Sequence, residues 1–122
     1  MLDQMAAEIK ARPGYEEQAG MILLHNGTVR AWSRKGHRKV LAVQVEPDEV
    51  RIGEICQELG SRPGIFAISA QANAGLRKPG DDLLYLAVAG DVREHVIPVF
   101  GELLDRVKSE GIRKKEILEG EE

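Results

Sequence analysis

Residues 83–116, LLYLAVAGDVREHVIPVFGELLDRVKSEGIRKKE, decide how this chain folds. The run from Leu83 to Val88 is apolar on both alternating faces, the pattern of a strand covered on two sides. It is the most apolar strand pattern in the chain and is expected at the centre of a sheet. After it, Val96, Phe100, Leu103 and Val107 recur at helical spacing. Asp91 and Glu94 are spaced as a capping box, yet Pro98 cannot donate to the Glu94 carbonyl. The helix therefore kinks at Pro98 or begins near it. Gly111 ends it, and IRKKEIL reads as a short final strand. A buried strand feeding a helix that delivers Lys108, with Lys115 beyond a glycine turn, suits an anion.

Upstream of this stretch the elements are shorter. Residues 2–11 predict a helix with Asp3 as N-cap, stopped by Pro13-Gly14. GMILLHNGTVRAW predicts a strand that is apolar on both faces in its first half, hence central, with His25 on the face of Met21 and Leu23. SRKGHRK is a turn, and KVLAVQVE is a returning strand with Leu41, Val43 and Val45 on one face. The expected unit is a β-hairpin with a basic tip at residues 33–39. That tip is either a solvated turn or a mobile basic flap over an anionic ligand or acidic partner. Pro47 is placed in the first turn of a helix whose stripe is Ile52, Ile55, Cys56 and Leu59, ending at Gly60. IFAISA is a strand, and QANAGLRKPGDD is a polar connection.

The whole chain sets the outer bounds. Its 122 residues and 13.5 kDa predict one domain over 1–122, with a core of Val, Ile, Leu and Ala because aromatics reach only 4%. A net charge of −3 argues against a general nucleic-acid binder, although WSRKGHRK and GIRKK concentrate positive charge. Cys56 is the single cysteine, so no intrachain disulfide or cysteine metal site is expected, and the residue reads as a small buried hydrophobe. No apolar run reaches the roughly 20 residues of a membrane span, and no signal peptide is evident, so a cytoplasmic protein is expected. The element order predicts an α+β two-layer domain with a β-hairpin, a mixed sheet and two main helices.

Nucleotide-binding, phosphate-loop, zinc-protease and nucleophile-elbow motifs are absent from the sequence. The groups able to do chemistry reduce to Arg30, Arg93, Lys108 and Lys115, with His25 as a possible proton shuttle or a packed strand residue. In GTVR, Gly27, Val29 and Arg30 match a strand ending Phe-x-Gly-x-Val-Arg. In LLDRVKSEGIRKKE, Asp105, Lys108, Lys115 and Glu116 match a helix ending Asp-x-Leu-Lys followed by Pro-x-Trp-Lys-Lys-Glu. GLRKPGDDLLYLAVAG looks like a Gly-x-Leu-x-x-Gly-Asp loop and its strand. On these segments, residues 18–120 resemble the large, catalytic subunit of molybdopterin synthase.

The resemblance implies an α/β-hammerhead-like fold and a homodimer, each copy binding a small ubiquitin-like sulfur carrier to give a heterotetramer. The carrier's Gly-Gly tail, ending in a thiocarboxylate, would give sulfur to cyclic pyranopterin monophosphate to form molybdopterin, with no cofactor or metal. It implies Lys115 and Lys108 as catalytic groups, Arg30 and Arg93 as phosphate clamps, and His25 in the substrate pocket. His25 stands where the family has phenylalanine, Val92 where it has histidine, and Ile112-Arg113-Lys114 where its Pro-x-Trp supplies an aromatic wall. The chain ends at Glu121-Glu122, where family members usually continue with a basic segment. Two other readings are a non-catalytic dimeric paralogue that binds a sulfur carrier or another partner, and an anion-binding regulatory domain using the basic turn.

Overall fold

A computed structural model describes residues 1–120; Glu121 and Glu122, the acidic end, lie outside the described residues. The elements are α1 (Leu2–Lys10), α2 (Tyr15–Gln18), β1 (Met21–Thr28), β2 (Val40–Pro47), α3 (Glu49–Gly60), β3 (Ile65–Ala72), β4 (Gly75–Arg77), β5 (Asp82–Gly90), α4 (Arg93–Arg106) and β6 (Ile112–Leu118). A single π-helical turn, Val107–Gly111, joins α4 to β6. The α+β class expected from the sequence is the observed one. The strands make two antiparallel sheets, ordered β1-β5-β3 and β4-β2-β6, where one mixed sheet was expected.

β5 is central because both its faces are covered. Leu84, Leu86 and Val88 point to α3 and α4, where they join Ile52, Ile55, Leu59, Val96, Leu103 and Val107. Tyr85, Ala87 and Ala89 point the other way, against Met5 and Ile9 of α1. The alanines keep that face shallow, so a short helix lies close to the sheet. α1 thus adds a layer on the face that a two-layer plan leaves open. β1 shows the same two-sided pattern and is an edge strand, since apolar residues on both faces report the helices above and below and not the number of strand neighbours.

β1 and β2 do not form a hairpin. β1 pairs with β5, Leu23 opposite Val88, and β2 pairs with β4 and β6, Val45 opposite Gly75 and Lys114. The hairpin survives only at its tip, in a Trp32–Lys39 bridge and the bonds from Val40 N to the Ala31 carbonyl and from Ser33 N to the Arg38 carbonyl. Past that tip the chain crosses to the second sheet. There Val40, Val43 and Val45 pack with Val29, Leu83, Ile112 and Leu118. The pairing slips between Val40 and Ala42, which turns Leu41 outward, off the face expected for it.

Helix starts also differ from expectation. Asp3 makes no capping bond, and α1 starts from Met1. Pro47 closes β2, and Asp48 caps α3 by accepting from Arg51 N at 3.0 Å. α4 begins at Arg93, ahead of Pro98, from a Val92 cap. Asp91 accepts from Val92 N at 2.6 Å and pairs with His95 at 2.7 Å, so it does not box with Glu94. The Glu94 carbonyl that Pro98 leaves without a donor belongs to an exposed residue, where solvent can satisfy it. Gly64, at φ 78°, lies so close to this pair that a Cβ there would stand 2.1 Å from His95 Nδ1. Among the described residues no helix is long and apolar enough to cross a membrane.

Candidate functional site

The end of β1, the start of β5, the π turn and the inner face of β6 meet at one cleft. β5 brings Leu83 and Leu84 as its apolar floor, and the chain leaving β1 brings Gly27, Thr28, Val29 and Arg30. The π turn brings Lys108, β6 brings Lys114 and Glu116, and the basic turn brings Arg34. The cleft measures about 240 Å³. Four cations over an apolar floor, with one carboxylate, is a composition that attracts anions. Three larger hollows, of about 440, 620 and 340 Å³, do not share it, the last of them setting Arg93 beside Asp91 and Glu94. The first is lined by Glu8 and Glu49 without a lysine or arginine, and the second is mainly acidic.

The sequence fixes the Lys108 seat in several ways. Val107 is fully buried, and a Cβ on Gly111 would come within 2.6 Å of Ile52 Cγ1, so the turn closes tightly on α3. Asp48 N donates to the Gly111 carbonyl at 2.7 Å. Glu110 holds Arg51 of α3 and, at 3.3 Å, Arg106 of α4, while Arg106 reaches Glu58 at 2.7 Å. The pairs are exposed, and each contributes modestly. Together they bolt α3, α4 and the turn into one frame for Lys108.

On β6 the faces alternate, so Ile112, Lys114, Glu116 and Leu118 share the side that packs on the valines of β2. Arg113 and Lys115 take the opposite side, Lys115 across from Gln44. Much of the Lys114 side chain is open to solvent. Its ammonium pKa is nonetheless lowered, first by partial burial and then by the charges of Lys108 and Arg30, with Glu116 opposing. An amine so placed gives up its proton more readily than an ordinary lysine.

His25 lies on the α4 side of β1, its ring tilted 59° against Phe100 at 5.9 Å. Its Nε2 is buried without a hydrogen-bond partner among the described residues, and a Cβ on Gly27 would sit 3.0 Å from it. Burial, then the Lys108 charge, lowers its pKa. The unfolded chain, with His25 near its ordinary value of about 6.5, therefore binds more protons than the folded one below that pH. The contribution to stability is full above about pH 6.5 and is lost as pH falls through the lower folded value. His25→Phe should flatten this part of the urea-midpoint profile between about pH 7.5 and 5. An unchanged slope would remove His25 as its source.

Arg93 lies elsewhere. It opens α4, beyond the Gly90 end of β5, while the cleft is at the Leu83 end. Its side chain is 78% exposed and pairs with Glu94 at 3.3 Å. Of the sequence candidates, the fold gathers Arg30 and Lys108 at the cleft, sets His25 behind it, and leaves Lys115 and Arg93 outside. Lys114 and Arg34 are the cleft residues that spacing alone missed. The alternation that puts Lys114 on the same face as Ile112 is the signal that could have found the first.

The MoaE protein family model matches residues 2–110. The chain belongs to the MoaE family. This places it in molybdenum cofactor biosynthesis, as the resemblance carried by the segments across residues 18–120 implied. Similar solved structures include a molybdopterin biosynthesis MoaE protein from Burkholderia ambifaria MC40-6, 25% identical, with TM-score 0.75 over 97% of this chain and 79% of that one. The molybdopterin synthase from Staphylococcus aureus is 24% identical, with TM-score 0.71 over 84% of this chain and 77% of that one. The complex of subunits 1 and 2 of molybdopterin-converting factor from Helicobacter pylori 26695 contains a chain 10% identical, with TM-score 0.68 over 98% of this chain and 80% of that one. None of the curated protein sequences matches. The MoaE match takes in Arg30, Arg93 and Lys108 and stops before β6, so Lys114 and Lys115 are distinguished by strand geometry alone.

Proposed function

We propose that this chain is the catalytic subunit of a molybdopterin synthase, a sulfurtransferase working in the cytoplasm. The carrier is a small ubiquitin-like subunit whose Gly-Gly tail ends in a thiocarboxylate. The acceptor is cyclic pyranopterin monophosphate, which two sulfur transfers convert to the dithiolene of molybdopterin. The observation that carries this reading is the clustering of Arg30, Arg34, Lys108 and Lys114 over an apolar floor in a chain of the MoaE family. Donor tail and acceptor are both anionic, and these cations suit both.

Within the cleft, Arg30 and Arg34 bind phosphate, Lys108 orients the reacting ends, and Lys114 moves the proton. The lowered pKa of Lys114 supports its role, since an ammonium that releases its proton more readily is the better acid-base group. Lys115, on the outer face of β6, serves no step here. Arg93 is too far along the fold to join the cleft of its own copy. In a homodimer, extended to a heterotetramer by two carriers, a second copy is the one source from which Arg93 can be supplied.

Reconstitution tests the proposal. The chain, a thiocarboxylated carrier and the pterin precursor should give dithiolene product, with the carrier returned as carboxylate. Carrier binding without product would leave a non-catalytic docking subunit and reject the transferase reading.

A further inference from the structure

The basic turn between β1 and β2 carries the chain's single tryptophan, and Trp32 is 42% exposed. Its ring is not idle. The Arg30 guanidinium lies 4.9 Å from the ring centroid, and His37 stacks on the ring at 4.8 Å and 18°. Arg30 makes no hydrogen bond or ion pair among the described residues, so the indole is what fixes it. The turn itself is anchored. Ser33 is 3% exposed; its hydroxyl donates to the Lys35 carbonyl at 2.6 Å and accepts from Arg38 N at 2.9 Å. Arg38 Nη2 donates to the Glu119 carbonyl at 3.1 Å, and Glu119 N donates to the Lys39 carbonyl at 3.0 Å. These bonds tie the turn to the end of β6, the strand that supplies Lys114. The segment is therefore neither a merely solvated turn nor a free flap.

We propose that Trp32 is a positioning residue for the cleft: its ring holds the Arg30 guanidinium at the rim, oriented to receive an anionic group. This rests on the reading of the cleft as an anion site. An arginine in this setting has many rotamers available, and only some of them face Lys108 and Lys114. A ring face restricts them while leaving every guanidinium N–H free for a phosphate or carboxylate, which a carboxylate partner would not. Tryptophan is the best ring for the purpose. His37 backs the stack and holds the indole in place.

Inorganic phosphate is the probe, with the full chain and binding followed by calorimetry. Trp32→Ala should weaken phosphate binding by about two- to tenfold, and Trp32→Phe should restore most of it, since a smaller ring still supports the cation. Thermal midpoints should be unchanged in both. In the reconstituted reaction the same loss should appear in KM for the pterin substrate, with kcat held. In the parent chain, phosphate should shift the emission of Trp32, and Arg30→Ala should abolish that shift. Wild-type affinity in Trp32→Ala would overturn the proposal while leaving the cleft intact. Equal losses in both Trp32 variants with lowered thermal midpoints would overturn it in favour of a structural role. Undiminished binding in Arg30→Ala, or no binding by the parent chain, would overturn the cleft reading and this proposal with it.

Discussion

Lys114→Ala should lower sulfur transfer by about 100- to 10,000-fold, while Lys115→Ala should leave it within about threefold. The two residues are adjacent lysines, both exposed, so only geometry separates them. Strand alternation turns Lys114 inward with Ile112 and Glu116, and Lys115 outward opposite Gln44. Burial and the Lys108 and Arg30 charges lower the Lys114 pKa, which makes its neutral form accessible. The expected loss corresponds to about 3 to 5 kcal/mol of barrier. Lys114→Arg separates charge from proton transfer. It keeps the cation and cannot deprotonate, so it should bind the pterin substrate nearly as well and turn over as poorly as the alanine variant. Single-turnover rates and KM for the pterin substrate give the two readouts. Full activity in Lys114→Ala would sink the assignment. A loss in Lys115→Ala as large as in Lys114→Ala would show that β6 presents its other face during the reaction.

What the sequence could and could not reveal follows from which signals are local. β5 was legible because an apolar run covered on both sides leaves no polar position, and α3 and α4 because their stripes report a single buried face. The β1–β2 hairpin was expected because neighbouring strands commonly pair. The actual partners are remote: His25 faces Leu86 across about sixty positions, and Val45 faces Lys114. Nothing in either strand encodes that choice. The cleft was half legible for the same reason. Arg30 and Lys108 sit at ends of elements that motif and periodicity locate. Counting from Lys108 to the next matching lysine ignores which face of a strand that lysine occupies, and it reaches Lys115, which lies opposite Gln44 and outside the lining of the cleft. Arg34 and Trp32 were hidden in a run of basic residues whose placement is pinned through Ser33 and Glu119. The separation of Arg93 from the cleft was beyond reach until the direction of β5 and the return of α4 were known.

Leu103→Ala should cost about 2 to 5 kcal/mol, a large part of the 5 to 15 kcal/mol that holds a domain of this size together. Leu103 is fully buried, on the stripe of α4 that meets Leu86 and Val88 of β5 and Ile55 and Leu59 of α3. Three elements close around it, and none can relax into the space without opening the others, so the upper half of the range is expected. The urea midpoint should fall by about 1 to 3 M at an ordinary slope. Ile97→Ala, on the same helix but 53% exposed, should shift stability by no more than about 0.5 kcal/mol, which controls for helix propensity. The variant also tests how the site is held. α4 runs from Arg93 to the π turn that seats Lys108, and the turn is fastened outside the core through the Arg51–Glu110 pair and the Asp48 N–Gly111 carbonyl bond. In the fraction that remains folded at low temperature, Leu103→Ala should therefore bind phosphate with near-parental affinity. A midpoint that falls together with a large loss of phosphate affinity per folded molecule would show that the α4 core, and not the ion-pair frame, sets the position of Lys108.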